Sequence, residues 1–106
     1  RVALRREPLY LADAALCDPV LQECLAQAIA ARGLAVRRLP SGAGHDAMVF
    51  PPLAPAAMLF VRCGNGGISH HPDETMSAHD AGLATQVLFD ALLRLPAAFG
   101  LDATSV

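Results

Sequence analysis

Six residues in this chain have side chains that do chemistry and sit where the backbone could offer them to a ligand. His45 and Asp46 lie in "LPSGAGHDAMVF" (39–50), and His70, His71, Asp73 and Glu74 lie in "GNGGISHHPDE" (64–74). Each group follows a glycine-rich turn. Glycine lets the backbone turn tightly and approach a ligand closely. An imidazole so placed can donate to developing oxyanion charge. Imidazole and carboxylate can also ligate a metal, although zinc needs three or four protein ligands, or three and a water.

Spacing alone leaves both groups open. Adjacent residues such as His70 and His71 diverge in an extended loop. Neither HxxxH nor HExxH occurs, so a self-contained metal module of His70, His71 and Asp73 is disfavoured. The plain alternative for 64–74 is a solvated polar loop. For His45 it is a helix-start histidine bonded to a nearby carbonyl, and for Asp46 a carboxylate favouring the positive end of a short helix. His79 reads as a surface residue, and Cys63 has no activating base nearby in sequence. GxSxG, P-loop and GxGxxG patterns are absent, so hydrolase-elbow and nucleotide readings have no support.

The elements that must position these loops alternate. Residues 2–12 suggest a short edge strand, with Val2, Leu4 and Tyr10, interrupted by Pro8. "DPVLQECLAQAIAARG" (18–33) predicts a helix with Asp18 as N-cap, Pro19 in the first turn and Gly33 as its stop. "LAVRRL" predicts a strand. "HDAMVF" predicts a short helical segment ended by Pro51-Pro52. "AAMLFVRC" (56–63) is an apolar run suited to a strand covered on both faces. Ser77 and Asp80 form a Ser-x-x-Asp capping box. Leu83, Ala84, Val87, Leu88, Ala91, Leu92 and Leu95 then make one helical face, with Pro96 as the expected end and a weakly ordered tail. The expectation is an α/β fold with a small partial sheet, half of a larger layered domain. In such sheets ligands bind beyond the carboxyl ends of the strands. His45 and His70 each follow an expected strand, so their rings are expected to converge.

Bulk composition narrows the classes. A net charge of −2 with 17% charged residues gives no basic footprint for nucleic acid and no polybasic membrane patch. "AAMLFV" is too short to span a bilayer, and no signal peptide is readable. Three cysteines without CxxC spacing fit a reduced, cytoplasmic setting. Yet 54% of the residues are hydrophobic and the mean hydropathy is +0.39. A chain of 106 residues buries a smaller share of its surface than a larger one. Its surplus apolar surface calls for a partner, a second copy, or the rest of a larger protein. The chain also begins with Arg, and a start upstream is expected.

"LPSGAGHDAM", then "AMLFV", then "GGISHHPDE" and an amphipathic helix resemble the C-terminal part of a known family. This is the allantoate amidohydrolase and N-carbamoyl-L-amino-acid amidohydrolase (β-alanine synthase-like) family of the aminoacylase-like, co-catalytic-metal amidases and peptidases. The resemblance is specific from about Leu39 to Glu74 and looser over the flanking helices. It implies the last segment of an αβα-layered catalytic domain over residues 11–106, with 1–10 returning from an inserted, dimerising lid. It implies two divalent metal ions, zinc in the first instance and manganese as the alternative. By this resemblance His70 is a metal ligand. His45 stands beside the substrate and stabilises the tetrahedral intermediate, Asp46 orients the substrate side, and Glu74 has a supporting role. The implied reaction is hydrolysis of a carbamoyl or ureido C–N bond in a small molecule.

Two departures stand out: the loop before "GISH" is one residue longer than usual, and His71 replaces a common serine. The remaining ligands, the general-base glutamate and the substrate-carboxylate arginine have no counterpart here. The implied chain is therefore inactive without its N-terminal part. The competing expectation, of another class, is a non-enzymatic remnant that self-associates through an uncovered sheet. Homo-oligomers are expected on either reading.

Overall fold

Asp18 starts the first helix by giving one carboxylate oxygen to two backbone donors. Its Oδ1 accepts from the N–H groups of Val20 and Leu21 at 2.9 and 3.0 Å, which otherwise have no intrahelical partner. The computed structural model describes residues 2–9, 11 and 13–101. In it α1 spans Pro19–Ala31. Gly33, at φ +70°, ends it. The Gly33 N–H donates to Ala30 O at 2.9 Å and the Leu34 N–H to Ile29 O at 3.3 Å, the paired bonds of a Schellman stop.

α2 spans Ala78–Ala98. Ser77 Oγ accepts from the Asp80 N–H at 3.0 Å and donates to Asp80 Oδ2 at 2.6 Å. The Asp80 carboxylate thus closes the capping box on the serine hydroxyl. The expected end at Pro96 is corrected: the helix runs on through Ala98. Proline forfeits its own N–H, but the turn after it keeps its bonds. Phe99 N–H reaches Leu95 O at 2.9 Å, Gly100 N–H reaches Ala97 O at 3.2 Å, and Leu101 N–H reaches Pro96 O at 2.7 Å. Gly100, at φ +65°, is the actual stop.

The two helices pack through small residues. Ala28 is fully buried, and Val87 and Ala91 nearly so, with Leu25, Ile29 and Leu59 against them. Across the same contact Arg32 holds Asp90 at 2.7 Å and the Gln86 side chain at 2.6 Å.

Among the described residues no strand forms, and the expected small partial sheet is not seen there. Segments 34–39 and 56–63, expected as strands, carry no ladder. A ladder needs a neighbouring strand's donors and acceptors, and neither segment pairs with the other. Side chains hold them against the helices instead. Arg38 reaches Gln22 at 2.6 Å and Glu23 at 3.3 Å. Arg62 grips Asp80 Oδ1 through two nitrogens at 2.6 and 2.9 Å. The Asp18 N–H donates to Ala56 O at 2.7 Å. The described part of 2–12 is also unpaired, and Tyr10 lies outside the described residues. The short helical segment expected at 45–50 is present as a 3-10 turn, Asp46–Val49.

The chain exposes 8848 Å². A compact 11.1 kDa protein would expose about 5,700 Å². Part of the difference is large apolar side chains: Leu39 is 63% exposed and Phe60 48%. Among the described residues no helix is long and apolar enough to cross a membrane.

Candidate functional site

An open cleft of about 1250 Å³ lies between the helices and the two unpaired segments. Ile29, Val36, Leu59, Phe60 and Val87 contribute to its walls, and the Ser-Gly-Ala-Gly-His turn forms part of its rim. His45 is half-buried at this rim. It is the extended residue before the 3-10 turn (φ −133°, ψ 154°), and its side chain does not cap that turn. Its Nε2 lies 2.8 Å from Ser41 Oγ, and that hydroxyl donates to Ala43 O at 3.1 Å. The turn therefore closes on itself through the imidazole. Its partner is a side-chain hydroxyl rather than the backbone carbonyl that the plain reading expected.

The second loop is closed at its base, where the Gly64 N–H donates to Thr75 O at 2.8 Å. A side chain at Gly64 would have its Cβ 2.5 Å from Thr75 Oγ1 and would oblige the Thr75 side chain to turn. Asn65 Nδ2 donates to Asp73 O at 2.6 Å. His70 stands in the left-handed region at φ +58°, and its N–H donates to Glu74 Oε2 at 2.9 Å.

The structure brings His45 and His70 together: their ring centroids are 6.0 Å apart, edge to face. Phe60 packs edge-on to His45 at 6.5 Å. His71 turns elsewhere. Its Nδ1 lies 3.2 Å from the Asp73 backbone nitrogen and 3.5 Å from the Asp73 carboxylate. Asp46 and Glu74 are exposed, as is His79 in the first turn of α2. Cys24 is buried in α1, and Cys17 and Cys63 are half-buried free thiols.

Ser41 and Phe60 were not singled out by sequence reasoning. The signal available was the four-residue separation of Ser41 from His45 across a glycine turn. Beside the cleft, the Asp80 carboxyl is held below the usual carboxylate range. The Ser77 hydroxyl bond is the main cause and the Arg62 guanidinium the next.

A metal ion does not fit these residues alone. Two imidazoles converge, but among the described residues no three ligand groups gather. The chain could supply one ligand to a pocket and does not complete one.

The model of peptidase family M20/M25/M40 matches residues 3–94. The chain belongs to this family. It is 33% identical over 94 residues to the N-carbamoyl-L-amino acid amidohydrolase of Geobacillus stearothermophilus, covering 89% of this chain and 23% of that protein. It is 42% identical over 92 residues to a probable allantoate deiminase of Oryza sativa subsp. japonica, covering 74% of this chain and 18% of that one. Over 63 residues it is 41% identical to the allantoate amidohydrolase of Bacillus subtilis (strain 168), covering 59% and 15%. The chain spans about a fifth of the length of these M20 relatives. The resemblance carried by "SGAGHDA" and "GISHHPDE" is borne out by these matches. No solved structure matches.

Proposed function

We propose that this chain is the C-terminal segment of the catalytic α/β domain of an M20 amidohydrolase. Its substrates are allantoate or N-carbamoyl amino acids, and its reaction is hydrolysis of their ureido or carbamoyl C–N bond. Residues 1–10 are the return from a lid and 11–106 belong to the catalytic domain. The supporting observation is the approach of two imidazoles: His45, at the rim of an apolar cleft, has the exposed ring of His70 6.0 Å from its own.

His45 is the substrate-side donor. A half-buried imidazole beside apolar walls stabilises oxyanion charge more strongly than one in bulk water. Asp46, next in the chain and exposed, orients the substrate side. His70 is the one ligand this chain contributes to the divalent metal ions of the family, zinc in the first instance and manganese as the alternative. The other ligands and the general base belong to the N-terminal part of the same enzyme, so the chain alone is inactive. We assign it to a cytoplasmic homo-oligomer.

The test is a graft. The chain replaces the matching segment of the G. stearothermophilus enzyme, and ammonia release is measured with N-carbamoyl amino acids and with allantoate. Hydrolysis that is lost with His45→Ala, and lost together with bound metal in His70→Ala, supports the proposal. A folded, metal-loaded graft that leaves both substrates intact overturns it.

The large exposed apolar surface favours a second reading, a self-associating module without activity. On that reading the free chain forms a defined oligomer by sedimentation, and the graft is inactive.

A further inference from the structure

We propose that Ser41 is a positioning residue that sets which nitrogen of His45 faces a ligand. Its functional meaning rests on the reading of His45 as a substrate-side donor; its geometry does not. The Ser41 hydroxyl has one hydrogen and two neighbours, Ala43 O at 3.1 Å and His45 Nε2 at 2.8 Å. With that hydrogen spent on Ala43 O, the oxygen accepts from an Nε2–H, and Nδ1 carries the bare lone pair.

To donate from Nδ1 while staying neutral, the ring needs the opposite tautomer. The ring gives its Nε2 proton to water and takes one from water at Nδ1, and Ser41 accommodates the change by rotating its hydrogen from Ala43 O to Nε2, with no heavy atom moving. The hydroxyl is thus a two-position switch: an acceptor at rest, and a donor when Nδ1–H serves a ligand. The ring has little freedom to turn away. Phe60 and His70 stand edge-on to it at 6.5 and 6.0 Å. For metal-bound imidazoles the loss of such an outer partner costs about ten- to hundredfold in affinity or activity, and a loss on the same order is expected for His45.

The first arm of the test is imidazole ¹⁵N spectroscopy of the 106-residue chain, comparing Ser41→Ala and Ser41→Thr with the unsubstituted chain. His79, exposed on α2, is the internal reference for an unrestrained ring. The expected result is an Nε2–H population at His45 above that of His79, falling to the His79 level in Ser41→Ala and kept in Ser41→Thr. A His45 signal identical to His79 in the unsubstituted chain, or unchanged in Ser41→Ala, overturns the proposal.

The second arm uses the grafted enzyme. Ser41→Ala should lower kcat by about ten- to hundredfold, leave KM within about twofold, and be rescued by threonine. An equal loss in the threonine variant overturns the switch. A graft inactive before any substitution at Ser41 refutes the amidohydrolase reading, and the spectra then decide the Ser41 geometry by themselves.

Discussion

His70 holds a backbone conformation that histidine rarely adopts, at φ +58°. Such a residue costs on the order of 1–3 kcal/mol and persists where its surroundings over-determine it. Here the determinant is Glu74, whose Oε2 takes the His70 N–H at 2.9 Å. Glu74→Ala should release the loop, speeding amide exchange at His70 by about tenfold and moving its ring away from His45. Glu74→Gln keeps an acceptor and should preserve both. Exchange rates and ring-to-ring proton contacts by NMR check this, and equal behaviour of the two variants would remove the clamp. The position of His70 was legible from the glycines before it. Its left-handed turn was not, because a carboxylate four residues downstream sets it. The sequence led one to expect the His70 and His71 rings to diverge, and the structure turns the His71 ring to the Asp73 N–H.

At the level of elements, the helix starts were readable and their ends only partly so. Asp18 and Gly33 behave as their residue types dictate. Pro96 misled because a proline in the last turn removes a single bond, whereas Gly100 supplies the left-handed stop. The two expected strands failed for a different reason. Apolar content is local, but a ladder depends on a neighbour, and the described residues provide none. Asp18→Ala should cost α1 about 1 kcal/mol in thermal or urea melts, and Asp18→Asn should recover most of it. The capping group of α2 also carries a pH dependence. Because the folded Asp80 carboxyl lies below its ordinary value, its stabilising contribution is complete above about pH 3.9. It shrinks as pH falls through the lowered value and is gone below it. Helical melts from pH 5 to pH 2 should show this loss, and Asp80→Asn should lack that component.

For the whole molecule, the decisive quantity is surface that has no cover. An exposed area of 8848 Å² stands about 3,000 Å² above that of a compact protein of this mass. A standard protein interface buries about 800 Å² on each partner, so the excess is larger than one such contact, and the extended segment before α1 holds a share of it. The radius of gyration, 17.9 Å, also exceeds the roughly 13 Å of a compact chain of this length. The walls of the cleft carry a part of the apolar surface, with Val36 40% and Phe60 48% exposed, while Val2, Leu4, Leu9 and Leu11 outside it are more exposed still. Val36 and Phe60 lie outside the Ala28–Val87–Ala91 contact that joins the helices. Replacing both with lysine should therefore leave helical content intact while weakening whatever covers the cleft. In the free chain, sedimentation should shift toward the monomer and binding of a hydrophobic dye should fall. In the grafted enzyme, the same pair should prevent assembly of the catalytic domain and abolish ammonia release. If association, dye binding and graft activity all survive the two lysines, the cleft is not the surface that the rest of the fold covers.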